Sequence, residues 1–153
     1  MLRDVASNAK VACVPDRKPL VIVPLVIVIE DHPLVRLSQR MLCEQAGYRV
    51  AEVNNAADVA TCDLGHDGRR VIIADFDMGP EPTGIELAQA LMHRAGAPIP
   101  TLVLSGGPGP DAYPAAAGQR MPLLRKPARE EVLLGWIGSA MAGNHEAWPG
   151  EAP

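Results

Sequence analysis

Short apolar runs that end in a charged or hydroxyl residue recur along this sequence, separated by segments with helical spacing. Runs of β-branched and leucine residues without polar alternation are typical of strands buried on both faces of a parallel sheet. Strands that alternate with helices form βαβ units, which place helices on both faces of the sheet. The sequence therefore predicts an α/β fold with a doubly wound, five-stranded parallel sheet.

The predicted elements alternate from residue 25 to residue 142, which we interpret as one domain. Strands are predicted at residues 25–29, 49–53, 70–74, 101–104 and 122–125. Helices are predicted at residues 33–46, 56–64, 85–94, 111–118 and 128–142. In the first helix, the apolar residues at helical spacing predict one buried face, formed by Leu34, Leu37, Met41 and Leu42.

The fourth helix is predicted to be short and irregular. The segment 106–122 contains four prolines, at 108, 110, 114 and 122, and four glycines, at 106, 107, 109 and 118. Proline removes a backbone donor and glycine costs backbone entropy, so neither supports a long helix. Residues 111–118 are the longest helix expected there.

The two ends of the chain lack the alternating pattern. Residues 1–24 are predicted to form a flexible arm, or an extra strand at the apolar residues 21–23. Residues 143–153 are rich in glycine and proline and are predicted to form a disordered tail.

Composition and charge exclude several partners. The net charge of −4 comes from interspersed acids and bases, without the basic stripe of a nucleic-acid-binding protein. The apolar run at residues 20–29 is interrupted by Pro24 and is too short to cross a bilayer, so no membrane partner is expected. Cys13, Cys43 and Cys62 have no metal-ligand spacing, which favours a reduced, cytoplasmic protein.

Reactive side chains stand at the ends of four predicted strands. Glu30 and Asp31 follow the first strand, Asp75 the third, Ser105 the fourth and Lys126 the fifth. In an open parallel sheet the carboxyl ends of the strands border one crevice, where ligands bind. Three carboxylates, one hydroxyl and one ammonium in that crevice predict a site for a divalent metal and a phosphoryl group.

The residue types predict how a metal would be held. Mg²⁺ prefers oxygen ligands and usually takes one or two carboxylates together with phosphate and water. We predict that Asp31 and Asp75 bind it directly, that Glu30 acts through a bound water, and that the backbone carbonyl of Asp77 completes the set.

The remaining residues fit the phosphoryl group. Asp75 is predicted to carry it as an aspartyl phosphate. Lys126 is predicted to neutralise phosphoryl oxygens as a point charge, and the Ser105 hydroxyl to hydrogen-bond one of them.

Residues 25–142 resemble the receiver domain of two-component response regulators. The resemblance rests on four motifs in order: Val-Ile-Val-Ile-Glu-Asp-His-Pro-Leu-Val-Arg, Val-Ile-Ile-Ala-Asp-Phe-Asp-Met-Gly, Leu-Val-Leu-Ser and Leu-Leu-Arg-Lys-Pro. It implies a (βα)5 flavodoxin-like fold, Mg²⁺ as cofactor, and phosphorylation of Asp75 by a histidine kinase or a phosphotransfer protein. It also implies a cis Lys126–Pro127 bond and kinase docking around the first helix.

The resemblance and the length together predict a single-domain response regulator that is not an enzyme. Without a DNA-binding or enzymatic output domain, its expected output is contact with a downstream protein or relay of the phosphoryl group. A homodimer is left open as a further partner.

Four features bear on how far this chain follows the receiver pattern. The loop at residues 78–84 is longer than usual, and Asp77 lies beside the path of an attacking water. We hypothesise that the Asp77 carboxylate alters the lifetime of the acyl phosphate. Leu123 stands where receivers usually carry an aromatic residue on the fifth strand, which with the broken fourth helix predicts a weak or unusual conformational response across residues 106–125.

Two other functions fit part of the pattern. A pseudo-receiver would keep the fold as an interaction module without phosphorylation, and labelling of Asp75 by a phosphodonor would separate it from a working receiver. A haloacid-dehalogenase-type phosphatase uses an Asp-x-Asp motif like Asp75-Phe76-Asp77. In that family, however, this strand comes first, whereas here Glu30 and Asp31 precede it.

Overall fold

The computed structural model describes residues 21–65, 68–80, 82–107 and 112–144, apart from the side chain at position 113. Strands and helices alternate through this part of the chain. The strands are β1 Leu25–Ile29, β2 Arg49–Val53, β3 Arg70–Asp75, β4 Thr101–Ser105 and β5 Leu123–Arg125. The helices are α1 Pro33–Gln45, α2 Ala56–Val59, α3 Gly84–Ala95, α4 Ala112–Gly118 and α5 Glu130–Met141.

The five strands form one parallel sheet in the order β2-β1-β3-β4-β5. The chain passes from β1 to β2 on one side and then to β3 on the other side, so its direction across the sheet reverses there. Ile29 is aligned with Val53 of β2 and with Ala74 of β3. The residues that follow β1 and β3 therefore emerge together at the switch point, where open α/β sheets bind ligands. The predicted doubly wound sheet is confirmed.

Alternate residues of β1 pack on opposite faces of the sheet. Val26 and Val28 contact the layer that contains α5, whereas Leu25, Ile27 and Ile29 contact the layer that contains α3. This division follows from the two-residue period of a strand. All five side chains are buried, so helices cover both faces of the sheet.

The predicted extent of α2 was wrong. The helix ends at Val59 instead of residue 64. Cys62 then turns into the hydrophobic core beside α3, and Gly65 adopts a left-handed φ of 67°. Burial of Cys62 against the sheet requires the chain to leave the helix at this point.

The predicted buried face of α1 was also wrong. Leu34, Leu37 and Met41 are 70%, 44% and 49% exposed. The helix packs on the sheet mainly through Leu42 and Cys43, which belong to the core around α5. Leu34, Leu37 and Met41 therefore form an exposed apolar stripe on the helix, which we call the α1 stripe.

The short fourth helix is confirmed, since α4 extends only from Ala112 to Gly118. Pro114 lies in its first turn, where a backbone N–H has no acceptor within the helix.

Residues 21–24 form no strand, and Val21 is 81% exposed. The rest of the predicted arm and tail, residues 1–20 and 145–153, lies outside the described residues. None of the described helices combines the length and the apolar character needed to cross a lipid bilayer.

Candidate functional site

The sheet brings the three predicted carboxylates together. Glu30 follows β1, Asp31 is its neighbour, and Asp75 ends β3. One carboxylate oxygen of each lies within 4.8 Å of one oxygen of each of the others. Glu30 and Asp75 are 1% and 4% exposed, whereas Asp31 faces solvent. The cluster therefore has a buried floor and an open side.

Lys126 lies against the buried part of this cluster. Its Nζ is 2.9 Å from Oδ2 of Asp75 and 3.2 Å from Oε2 of Glu30. The backbone N–H of Lys126 donates to the carbonyl of Ser105, which fixes the residue beside the end of β4. The Lys126–Pro127 bond is cis, as the resemblance implied.

The electrostatics of the pair reflect burial and mutual contact. Burial is the main reason that the pKa of Glu30 is raised above its ordinary value, with a smaller contribution from the Asp75 charge. Burial alone would lower the pKa of Lys126. Hydrogen bonds and charge attraction from Asp75 and Glu30 outweigh it, so this pKa is raised and the ammonium form is favoured.

The loop after β3 hydrogen-bonds to the Asp75 carboxylate. The backbone N–H of Asp77 donates to Oδ1 of Asp75 at 3.1 Å. The side chain of Asp77 is exposed, and its Oδ2 accepts from the backbone N–H of Gly106 at 3.1 Å. The Asp77 carboxylate thus joins the loop after β3 to the loop after β4.

The first turn of α3 packs against the backbone of Asp75. Thr83 and Glu86 form a capping box that fixes where this helix begins. A Cβ added at Gly84 would lie 1.8 Å from the carbonyl oxygen of Asp75. Only glycine permits such a close approach of helix and strand end.

Ser105 ends β4 and is buried at the same edge of the sheet. The register aligns Leu104 with Asp75, so Ser105 lies one residue beyond Asp75 on the neighbouring strand. The structure thus brings Glu30, Asp31, Asp75 and Lys126 together at the switch point, and Ser105 lies at the same edge of the sheet at the end of the neighbouring strand. Sequence reasoning missed Arg36, which contacts the backbone of Glu30 and Asp31. The available signal was an arginine one turn into the helix that follows the acidic pair.

The donor set fits a hard divalent cation. Oxygen ligands from carboxylates are those that Mg²⁺ prefers. The three clustered carboxylates face one ammonium, so most of their negative charge is left uncompensated within the cluster. Like charges at such distances repel, and a divalent cation would relieve that repulsion.

The chain matches a known protein family over most of its length. A family model, the response regulator receiver domain, matches residues 26–137, which are most of the chain. The chain belongs to the response regulator receiver family. Receiver domains are signalling domains of two-component systems, so the phosphatase family considered from the sequence is not the one that matches.

The curated relatives are longer than this receiver. The C4-dicarboxylate transport transcriptional regulatory protein DctD of Pseudomonas aeruginosa is 32% identical over 117 residues, covering 76% of this chain and 25% of the relative. The virulence factors transcription regulator BvgA of Bordetella pertussis is 31% identical over 90 residues, covering 54% of this chain and 39% of the relative. The matched parts are therefore well under half of these relatives.

Solved structures share the receiver fold. The chemotaxis protein CheY4 of Vibrio cholerae has a TM-score of 0.65 at 22% identity, covering 78% of this chain and 99% of that protein. A receiver domain protein of Clostridium thermocellum has a TM-score of 0.66 at 19% identity, covering 82% and 100%. At these identities the likeness shows the fold alone.

Proposed function

We propose that this receiver accepts a phosphoryl group on Asp75 from a histidine kinase or a phosphotransfer protein, in a reaction that depends on Mg²⁺. One observation carries the proposal. The buried Asp75 carboxylate at the switch point lies 2.9 Å from an ammonium and beside two further carboxylates. This combination supplies a nucleophile, a charge for the transferred group and oxygen ligands for a cation.

The Mg²⁺ ion would be held by Asp31 and Asp75, with Glu30 acting through water and the Asp77 carbonyl completing the protein ligands. When bound, it supplies charge neutralisation for the phosphoryl oxygens.

In the transfer, a carboxylate oxygen of Asp75 forms a bond to phosphorus. The phosphorus–nitrogen bond of the phosphohistidine breaks, and its electron pair leaves with the imidazole. Lys126 neutralises negative charge on the phosphoryl oxygens, and Ser105 donates a hydrogen bond to one of them. The phosphodonor is the other reactant. Each transfer leaves this domain itself phosphorylated, so the domain acts as a signalling acceptor and not as an enzyme that turns over a substrate.

The α1 stripe is the surface that we propose for docking of the phosphodonor. A groove of about 590 Å³ connects the stripe to the site, since Leu34 and Leu42 line it together with Lys126 and Pro127. Exposed apolar side chains beside a functional site are typical of protein interfaces. A helical phosphodonor on this stripe would bring its phosphohistidine to the open side of the cluster.

For the output, we propose contact with a downstream protein or relay of the phosphoryl group, in the cytoplasm. Either route uses the surface around Asp75. The longer relatives are transcriptional regulators by name.

Intact-mass spectrometry after incubation with Mg²⁺ and acetyl phosphate tests the proposal. We expect the wild type to gain the mass of one phosphoryl group, and Asp75→Ala to gain none. Asp63→Ala is the matched control, because Asp63 pairs with Arg49 at the opposite edge of the sheet, and it should be labelled like the wild type. No gain in a folded wild type would contradict the proposal and favour a pseudo-receiver.

A further inference from the structure

The side chain of Arg36 turns back from α1 onto the acidic pair. Its Nη1 donates to the carbonyl of Glu30 at 2.9 Å, to the carbonyl of Asp31 at 3.2 Å and to Oδ1 of Asn54 at 3.1 Å. Its Nε lies 3.3 Å from Oε1 of Glu52, and the side chain is 20% exposed. One partly buried arginine thus joins the turn after β1 to the end of β2.

The turn after β1 needs such a donor. β1 ends at Ile29 and α1 begins at Pro33, so the carbonyls of Glu30 and Asp31 lie beyond the β1 ladder. A partly buried carbonyl without a partner is costly, and Arg36 provides the hydrogen bonds. Glu30 is held from both ends, because its Oε1 also accepts from the N–H of His32 at 3.1 Å.

We propose that Arg36 is a positioning residue for the cation site. It holds the backbone from which the Glu30 and Asp31 carboxylates project, and so fixes their direction toward a divalent cation. Arg36 binds only the backbone carbonyls of Glu30 and Asp31, so its hydrogen bonds do not occupy either carboxylate. Groups of this kind outside the metal ligands orient the ligands and strengthen binding. The inference rests on the proposed function, since it concerns the same site.

An arginine is required for this network. The planar guanidinium reaches carbonyl, amide and carboxylate acceptors in fixed directions at once. Lysine offers one ammonium, which cannot serve the carbonyls through one nitrogen and Glu52 through another. Arg36→Lys therefore keeps the charge and loses the geometry.

Mg²⁺ binding without any phosphodonor tests the role separately from phosphorylation. Isothermal titration calorimetry would compare the wild type, Arg36→Gln, Arg36→Lys and Arg40→Gln at a temperature where all are folded. Arg40 is the matched control, because it pairs with the same Glu52 and with Glu44 from the next turn of α1. Arg36→Gln is expected to weaken Mg²⁺ binding about tenfold, as loss of an outer-shell partner commonly does. Arg40→Gln is expected to bind as the wild type does.

Thermal unfolding with and without Mg²⁺ separates positioning from a merely structural role. For a positioning residue, the rise in Tm on adding Mg²⁺ is smaller in Arg36→Gln than in Arg40→Gln. Equal Mg²⁺ affinities in these two variants would overturn the inference, even if both had a lower Tm. If Arg36→Gln does not fold, Arg36→Lys decides in the same way, because wild-type affinity there would overturn the inference. A wild type that binds no Mg²⁺ would instead overturn the proposed metal site, and the inference with it.

Discussion

Two halves of the domain meet at the site, and they differ in the length of their strands and helices and in how extensively these pair. The carboxylate half consists of β1, β2, β3, α1 and α3, and the lysine half of β4, α4 and β5. In the carboxylate half, β1 pairs along its whole length on both sides and α3 begins with a capping box. In the lysine half, β5 has three residues and α4 has seven. The residues that would hold metal and phosphoryl group are anchored mainly by the stronger half.

The contrast separates two demands on a receiver. Phosphoryl chemistry needs carboxylates, a lysine and a hydroxyl held in place, whereas signal transmission needs a segment with two arrangements of similar free energy. The lysine half has a small core of its own, formed where α4 and β5 meet α3 and β4, by Ile85, Val103, Ala116 and Met121. This cluster is smaller than the two clusters on the faces of β1, so we expect movement in the lysine half to meet less resistance.

Matched glycine substitutions should give the largest difference between the halves. Gly84→Ala places a Cβ 1.8 Å from the backbone of Asp75, which cannot move without disturbing β3. We expect it to lower the free energy of unfolding by about 3 kcal/mol or more. Gly118→Ala at the end of α4 meets nothing within 4 Å and should raise it by about 0.5 kcal/mol through helix propensity. Urea unfolding followed by circular dichroism measures both.

Similar unfolding midpoints for the two glycine variants would contradict the contrast. They would mean that α3 can shift away from β3 as easily as α4 adapts. The position of α3 against Asp75 would then not be fixed by the close approach at Gly84.

Removal of Lys126 should give the next largest effect. Lys126→Met leaves the buried carboxylates of Glu30 and Asp75 without their cation. We expect a loss of about 2 kcal/mol near neutral pH, since breaking a buried ion pair strands a charge, here lessened by partial exposure of the lysine. Chemical unfolding over a pH series measures it.

The pH dependence of this loss has a definite sign. The pKa of Glu30 is already raised in the folded state, chiefly by burial, and loss of Lys126 raises it further. In the variant, the contribution of Glu30 to the free energy of unfolding is therefore largest below its ordinary pKa of 4.5. That contribution is lost as the pH rises through the folded-state pKa. The cost of Lys126→Met should therefore shrink in acid, and it should also shrink when Glu30→Gln is present. A cost that is equal at all pH values would contradict the electrostatic explanation.

The fold was predictable because its pattern is local. The apolar residues of β1, β3 and β4 mark buried strands by their composition, and the polar residues after them mark the edge where ligands bind. The α1 stripe misled the sequence analysis because helical spacing shows that residues share a face, without showing which face is covered. The contacts of Arg36 depend on where β2 ends relative to α1, which no local pattern encodes.

The Asp77–Gly106 hydrogen bond links the two halves, and we expect the Asp77 carboxylate to shorten the lifetime of an acyl phosphate on Asp75. The backbone N–H of Asp77 donates to Asp75, and one carboxylate oxygen of Asp77 accepts from Gly106, so the other oxygen can accept a hydrogen bond from an attacking water. Asp77→Asn keeps the shape but is a weaker base. We expect dephosphorylation to slow by roughly three- to tenfold, well below the effect of removing a fully positioned base.

Decay of the phosphorylated protein, followed by intact-mass spectrometry after removal of the phosphodonor, gives this rate. Asp63→Asn is the control for loss of one carboxylate far from the site. An unchanged rate in Asp77→Asn would show that Asp77 only tethers the loop after β4.

The smallest effect is expected in the lysine half on phosphorylation. Leu123 packs from a half-buried position against the small core beside α4. Leucine lacks the flat ring and polar tip that let an aromatic residue exchange between buried and exposed positions. Hydrogen–deuterium exchange should therefore change around residues 30–36 and 75–84 and change little at residues 112–125. Large changes at 112–125 in the wild type would contradict this.

Leu123→Tyr tests whether the missing ring is the cause of that weak response. The strand end already lies beside Ser105, because Lys126 donates its N–H to the carbonyl of Ser105. A tyrosine there would stand on the strand that carries Lys126, with its hydroxyl able to reach solvent or to turn inward. We expect phosphorylation of the variant to alter exchange at residues 112–125 more than in the wild type. An equally small change would place the cause in α4 itself, where seven residues, one of them Pro114, make too short a helix to move as a unit.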